Sequence, residues 1–174
     1  IAHALRDHTT TCMLGFIDHY RHVRGVLGAL GIGPLQRDEI QRMAVSFRRT
    51  VASTPIALKT CTAKVDLRHL GIPAGMCIDR GLVERIAGYP IAAKKDANQR
   101  HICNCVESID IGTYESCLNG CVYCYAIRGN YGTAEYNRRR HDPRSPLMIG
   151  HLCDDDVVKE RPVKSLRSTQ HTLF

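Results

Sequence analysis

The sequence predicts a mixed α/β fold, one parallel βαβ unit followed by a long cysteine-rich extension. Three stretches carry this reading. "CMLGFIDHY", 12–20, is apolar and then turns polar at Asp18 and Tyr20, as a buried strand does on reaching its end. Residues 34–54, "PLQRDEIQRMAVSFRRTVAST", place Leu35, Ile40, Met43, Ala44, Phe47 and Val51 at helical spacing, with Pro34 near the start. "IALKTCT", 56–62, is a second strand. Strand, helix and strand in succession imply parallel strands joined by a right-handed crossover. Functional groups in such sheets gather at the carboxyl ends of strands, which is where Asp18 and Cys61 fall.

The later elements follow in order. "IDRGLVERIAGY", 78–89, predicts a short helix with Asp79 as its N-cap. From Lys94 to Cys124 the text is irregular and polar, and so long a stretch without regular structure needs something other than a helix or sheet to organise it. Cysteine ligation would do so. "CYAIRGNYGTAEYNRRR", 124–140, returns to helical character, interrupted by Gly129 and Gly132. The tail from Asp142 carries three prolines and a DDD run and is expected to wrap the surface. The expected organisation is therefore βα units over 1–93, a cysteine-rich extension with its helix over 94–150, and a surface tail over 151–174.

With 174 residues, 44% hydrophobic and 24% charged, the chain can build a core and is not disordered. No apolar run reaches the length of about eighteen residues that a membrane span needs. Residues 1–11 lack the basic start and apolar centre of a secretory signal, and the chain does not open with Met, so a portion of a longer protein is expected. Nine cysteines, an odd number, disfavour a disulfide framework and favour metal-bound thiolates in a reducing cytoplasm. The net charge of +7 is diffuse apart from "NRRRHDPR" at 137–144; it permits a polyanionic partner without requiring one. Arg138–Arg140 also read as a solvated helix end.

The densest chemistry is "ESCLNGCVYCYAI", 115–127, where Cys117, Cys121 and Cys124 stand close together with Tyr123 before the last. Three thiolates can each bind a different iron of one iron–sulfur cluster and leave the fourth iron open. The alternative is a zinc knuckle that joins two of the trio to Cys103 and Cys105. The Cys-x-x-x-Cys-x-x-Cys spacing with its aromatic resembles the signature loop of radical S-adenosylmethionine enzymes. In that superfamily the open iron of a 4Fe-4S cluster chelates S-adenosylmethionine, and an electron from the cluster cleaves the sulfonium to give a 5′-deoxyadenosyl radical.

The longer text "KDANQRHICNCVESIDIGTYESCLNGCVYCYA" strongly resembles a bacterial family known as domain of unknown function eighteen-forty-eight. "GFIDHY" at 15–20, "LKTCTAKVDL" at 58–67, "GIPAGMCID" at 71–79 and "RHDPRSPLMIG" at 140–150 resemble it too. The resemblance implies a TIM-barrel-like α/β fold, of which this chain supplies the last βα units as an incomplete barrel, together with the cysteine-rich extension. The earlier βα units would belong to an N-terminal half that precedes this segment.

Mapped here, the family pattern includes four further cysteines, Cys61, Cys77, Cys103 and Cys105. Four is the count of a closed site, so a second centre is expected, either another iron–sulfur cluster or zinc. Cys12 reads as a core residue and Cys153 as an exposed free thiol. Tyr123 would sit over the adenine of S-adenosylmethionine or support the cluster loop. Asp110, near Glu107 and Ser108, would hold ligand or cap the loop. The chain ends "QHTLF", which resembles the pentapeptide that binds bacterial sliding clamps; Gln170, Leu173 and Phe174 would make that contact. A clamp partner would imply DNA as substrate. The resulting expectation is a cytoplasmic radical S-adenosylmethionine protein fed by an electron donor. The rival expectations are a zinc-stabilised nucleic-acid-binding module and an electron-transfer iron–sulfur protein.

Overall fold

The computed structural model describes residues 1–127 and 131–168. Among these residues it is a mixed α/β structure with one sheet of two parallel strands. Five helices occur among the described residues: α1 (Ala2–Leu5), α2 (Arg24–Ala29), α3 (Arg37–Val51), α4 (Arg80–Ala87) and α5 (Tyr131–Arg139). The strands are β1 (Thr11–Leu14) and β2 (Ala57–Thr60), and a 3₁₀ turn covers Arg68–Leu70. No helix among the described residues is long and apolar enough to cross a membrane. Two compact units emerge. Of the described residues, the first comprises 1–17, 35–108 and 164–168, and the second 18–34, 109–127 and 131–163.

In the first unit β1 and β2 pair in parallel, Thr11 against Ala57 through Leu14 against Thr60, with α3 as the connection. The expected helix over 34–54 forms as α3, and its start is set by a capping box between Gln36 and Glu39. Gln36 N–H donates to the Glu39 carboxylate at 2.7 Å. Ile40 and Ala44 of α3 pack with Leu58, Leu67 and Ile72, and Leu14, Phe16, Leu35 and Val51 flank them. Met43 and Phe47, on the same expected stripe, stay 37% exposed. The buried stripe is therefore narrower than the periodicity implies.

The strand expected over 12–20 ends at Leu14. Its partner runs out first: after Cys61 N–H bonds the Leu14 carbonyl at 3.0 Å, Thr62 turns the backbone into the left-handed region at φ 52°. On the other side of β2, Thr60 N–H bonds the Pro73 carbonyl and Gly75 N–H bonds the Thr60 carbonyl, at 2.9 and 2.8 Å. Residues 73–75 thus lie alongside β2 with a parallel bridge from Thr60 to Ala74. Gly75 permits this approach, because a Cβ there would come within 2.9 Å of Lys59 Cβ and 3.0 Å of Met13 Cε.

The helix expected over 78–89 forms as α4. Asp79 caps it, accepting from Gly81 and Leu82 N–H. Gly88 closes it at φ 76°, a conformation that costs glycine little, with its N–H on the Glu84 carbonyl. In the second unit α5 begins at Tyr131, and the described residues just after Cys124 are not helical. Ala134 of α5 is fully buried, as are Val23 and Leu27 around α2. Arg138 and Arg139 occupy the last turn of α5 and are solvent-exposed, where the helix dipole favours cations.

Leu67 is 2% exposed at the centre of the first core. Leu67→Ala should lower the unfolding free energy by about 2–5 kcal/mol, read from urea denaturation. Asp79→Ala removes a cap that makes two hydrogen bonds; a loss of about 1 kcal/mol is expected in the same measurement.

Candidate metal centre

Three separate stretches of the first unit bring thiols together. Cys61 follows β2 directly, so the end of the ladder fixes its position. Cys77 follows the stretch that lies beside β2. Cys103 and Cys105 come from a turn whose base is closed by an antiparallel bridge between Lys95 and Val106. In that turn Asp96 N–H bonds the Cys105 carbonyl at 3.0 Å, Glu107 N–H bonds the Lys94 carbonyl at 2.8 Å, and the buried Asp96 carboxylate accepts from Asn98 N–H at 2.8 Å. Two contacts carry the turn toward the other thiols. Val106 N–H bonds the Ile78 carbonyl at 3.2 Å, and the Arg100 guanidinium donates to the Thr62 hydroxyl.

The outcome is that the Sγ atoms of Cys61, Cys103 and Cys105 lie within 4.8 Å of one another. Cys103 and Cys105 are buried and Cys61 is half-buried. Close enough to hold a metal ion, this is the one such group among the described residues. Cys77 is exposed and stands beside this group without being part of it, near Cys61, Cys105 and Cys103.

The electrostatics of the four thiols differ. Burial, with the Cys61 hydrogen bond and the neighbouring sulfurs, pushes Cys77 up to about 12. Burial also raises Cys103. For Cys105 burial acts upward, but hydrogen bonds from Ile78 N–H, Cys103 and Cys77 N–H outweigh it and hold the thiol below its ordinary value. The Ile78 N–H to Cys105 Sγ distance is 3.4 Å. Cys105 thus gives up its proton more readily than Cys77 or Cys103, whose protons a bound cation would have to displace. A cavity of about 540 Å³ adjoins Cys77, lined also by Arg6, His8, Lys59, Asp79 and Arg85.

The second unit carries the trio. Glu115 N–H bonds the Ala126 carbonyl at 2.9 Å, which ties the two ends of the loop together. Asn137 of α5 holds the Glu115 carbonyl at 2.9 Å. Gly120 takes φ 69° between Cys117 and Cys121, and Cys124 N–H bonds the Cys121 carbonyl at 3.1 Å. Cys117 and Cys121 are exposed and Cys124 is half-buried; the trio is not drawn into a tight thiol group as the first set is. A cavity of about 450 Å³ adjoins the loop at Ser116, Leu118 and Asn119, with Asn137, Arg138 and His141 on its wall.

Tyr123 clamps the loop to a distant segment of the same unit. Its hydroxyl accepts from Asp18 N–H and donates to the Asp18 carbonyl, both at 2.8 Å. Its ring lies 6.1 Å from that of Tyr20. His19, between those two residues, keeps Nε2 buried without a hydrogen-bond partner. The Asp110 carboxylate accepts from Gly112 N–H at 2.8 Å, a local turn. Cys153 is exposed, as expected. Cys12 is exposed too, which corrects the expectation of a core thiol: β1 has β2 on one side only among the described residues, so it forms an edge of the sheet. Gln170, Leu173 and Phe174 lie outside the described residues. The sequence offers no signal for the Tyr123 clamp or for the amide hydrogen bonds to Cys105, since both depend on contacts between segments far apart in the chain.

No curated protein and no solved structure matches the chain. Residues 1–126, which include β1–α3–β2, the four gathered cysteines and the whole trio, match the family described as Domain of unknown function (DUF1848), and the chain belongs to that family.

Proposed function

We propose that this chain is an iron–sulfur protein of the radical S-adenosylmethionine type with two thiolate centres. Cys117, Cys121 and Cys124 would hold an open cluster, and Cys61, Cys77, Cys103 and Cys105 a separate centre. The observation that carries the reading is the group of Cys61, Cys103 and Cys105, close enough to hold a metal ion, which supports metal binding by the cysteine-rich text. The trio adds a donor set of thiols alone on a loop tied at its base, with two sulfurs open to solvent. When bound, a 4Fe-4S cluster there would supply the electron that cleaves the sulfonium of S-adenosylmethionine.

The chain's own groups suit that role. Tyr123 holds the loop against Asp18 through two hydrogen bonds, a positioning role. His19 Nε2 is a buried nitrogen with hydrogen-bonding capacity to spare. The cavity beside Leu118 and Asn119 has the volume and the polar wall for a ligand bearing amino and carboxylate groups. The parallel β1–α3–β2 unit supports a place in a larger βα barrel, with Cys61 just beyond the carboxyl end of β2, where such barrels keep their functional groups. An electron donor is the partner this chemistry requires. DNA and a sliding clamp are the partners that the C-terminal pentapeptide implies.

Protein reconstituted anaerobically with iron and sulfide should release 5′-deoxyadenosine when reduced in the presence of S-adenosylmethionine, and Cys121→Ser should abolish the release. No release from protein that holds its iron and sulfide would leave an electron carrier. A colourless preparation holding zinc alone would leave a binding module. Tyr123→Phe keeps the ring and removes both hydrogen bonds to Asp18. A loss of about 1–2 kcal/mol in stability is expected, together with lower iron occupancy, read by urea denaturation and iron analysis.

A further inference from the structure

The distances among the gathered thiols limit what they can surround. Cys61, Cys103 and Cys105 Sγ atoms lie within 4.8 Å of one another. A tetrahedral ion with bonds of about 2.3 Å to sulfur sets its sulfurs about 3.8 Å apart, inside that limit. In a four-iron cluster each thiolate binds a different iron, so the ligating sulfurs are separated by the breadth of the cluster as well as by the bonds. The observed spacing suits a single ion.

The donor chemistry narrows the ion. Cys77, exposed beside the three-sulfur group, would supply the fourth sulfur. Four thiolates leave no position for water or substrate, the arrangement of a structural site. An all-sulfur tetrahedral site suits zinc, whose filled d shell imposes no geometry of its own. The amide hydrogen bond from Ile78 to Cys105 Sγ, at 3.4 Å, orients that ligand as outer-shell donors do around bound metals.

We propose that Cys61, Cys77, Cys103 and Cys105 hold one zinc ion in a closed tetrahedral site. This rests on the four-cysteine centre of the two-centre reading and is independent of the open cluster. The ion joins three stretches that hydrogen bonds already bring together: the end of β2, the segment beside it, and the turn that bears Cys103 and Cys105. It neutralises part of the charge of the thiolates and fixes the turn in place.

Zinc, iron and acid-labile sulfide would be measured per chain in three proteins: the wild type, Cys103→Ser/Cys105→Ser, and Cys117→Ser/Cys121→Ser/Cys124→Ser. One zinc is expected in the wild type and in the trio variant, and its loss in the Cys103/Cys105 variant. Cobalt(II) exchanged into the wild-type protein gives a second readout that does not depend on any variant folding; the d–d and thiolate charge-transfer bands of a tetrahedral four-sulfur site are expected. Iron and sulfide retained by the trio variant in place of zinc would overturn the proposal, as would a cobalt spectrum without those bands. Wild-type protein with one zinc and no iron would end the open-cluster reading and leave the zinc site standing.

Discussion

The hydrogen bonds on the two sides of β2 set the geometry on which the four-cysteine centre depends. Thr60, 4% exposed, bonds Pro73 and Gly75 through its own N–H and carbonyl, while the next amide, that of Cys61, reaches back to β1 at Leu14. These bonds are satisfied in a place where unpaired backbone groups would be costly. They hold three stretches of chain in register, and two of those stretches deliver a cysteine. The apolar packing of α3 on Leu58 and Leu67 keeps this frame together from one face. Burial raises Cys77 and Cys103, so a cation bound among them would have to displace their protons.

The second unit solves a different problem. Its cysteine loop has no sheet to rest on, and its conformation comes from a few polar contacts: the Glu115–Ala126 closure, the Asn137 side chain on α5, and the phenol of Tyr123 on the backbone of Asp18. A tyrosine that both donates to and accepts from one residue's main chain fixes an orientation as well as a distance. Two of the three thiols stay open to solvent, in contrast to the burial of Cys103 and Cys105.

Much of this was legible in the amino acids, and the rest failed for identifiable reasons. The α3 helix and the Asp79 cap follow from local pattern and capping chemistry, which act within a few residues. The four cysteines of this centre could be grouped by family pattern, but not their distances, because residues 73–75 come to lie beside β2 through long-range hydrogen bonds. The length of β1 was overestimated from its apolar run, since pairing ends where the partner strand turns at Thr62 and not where hydrophobicity fades. Cys12 was misplaced for a related reason: an apolar neighbourhood does not tell an edge strand from a central one.

The spacing of Cys103 and Cys105 has a consequence for how this protein can vary. Both are buried while Asn104 between them is exposed. The interval matters more here than the identity of the middle residue. Position 104 can accept many side chains, whereas inserting or deleting a single residue would shift one sulfur against the other. The one-residue interval should resist length changes, as should the junction after Cys105, where Val106 makes the bridge to Lys95.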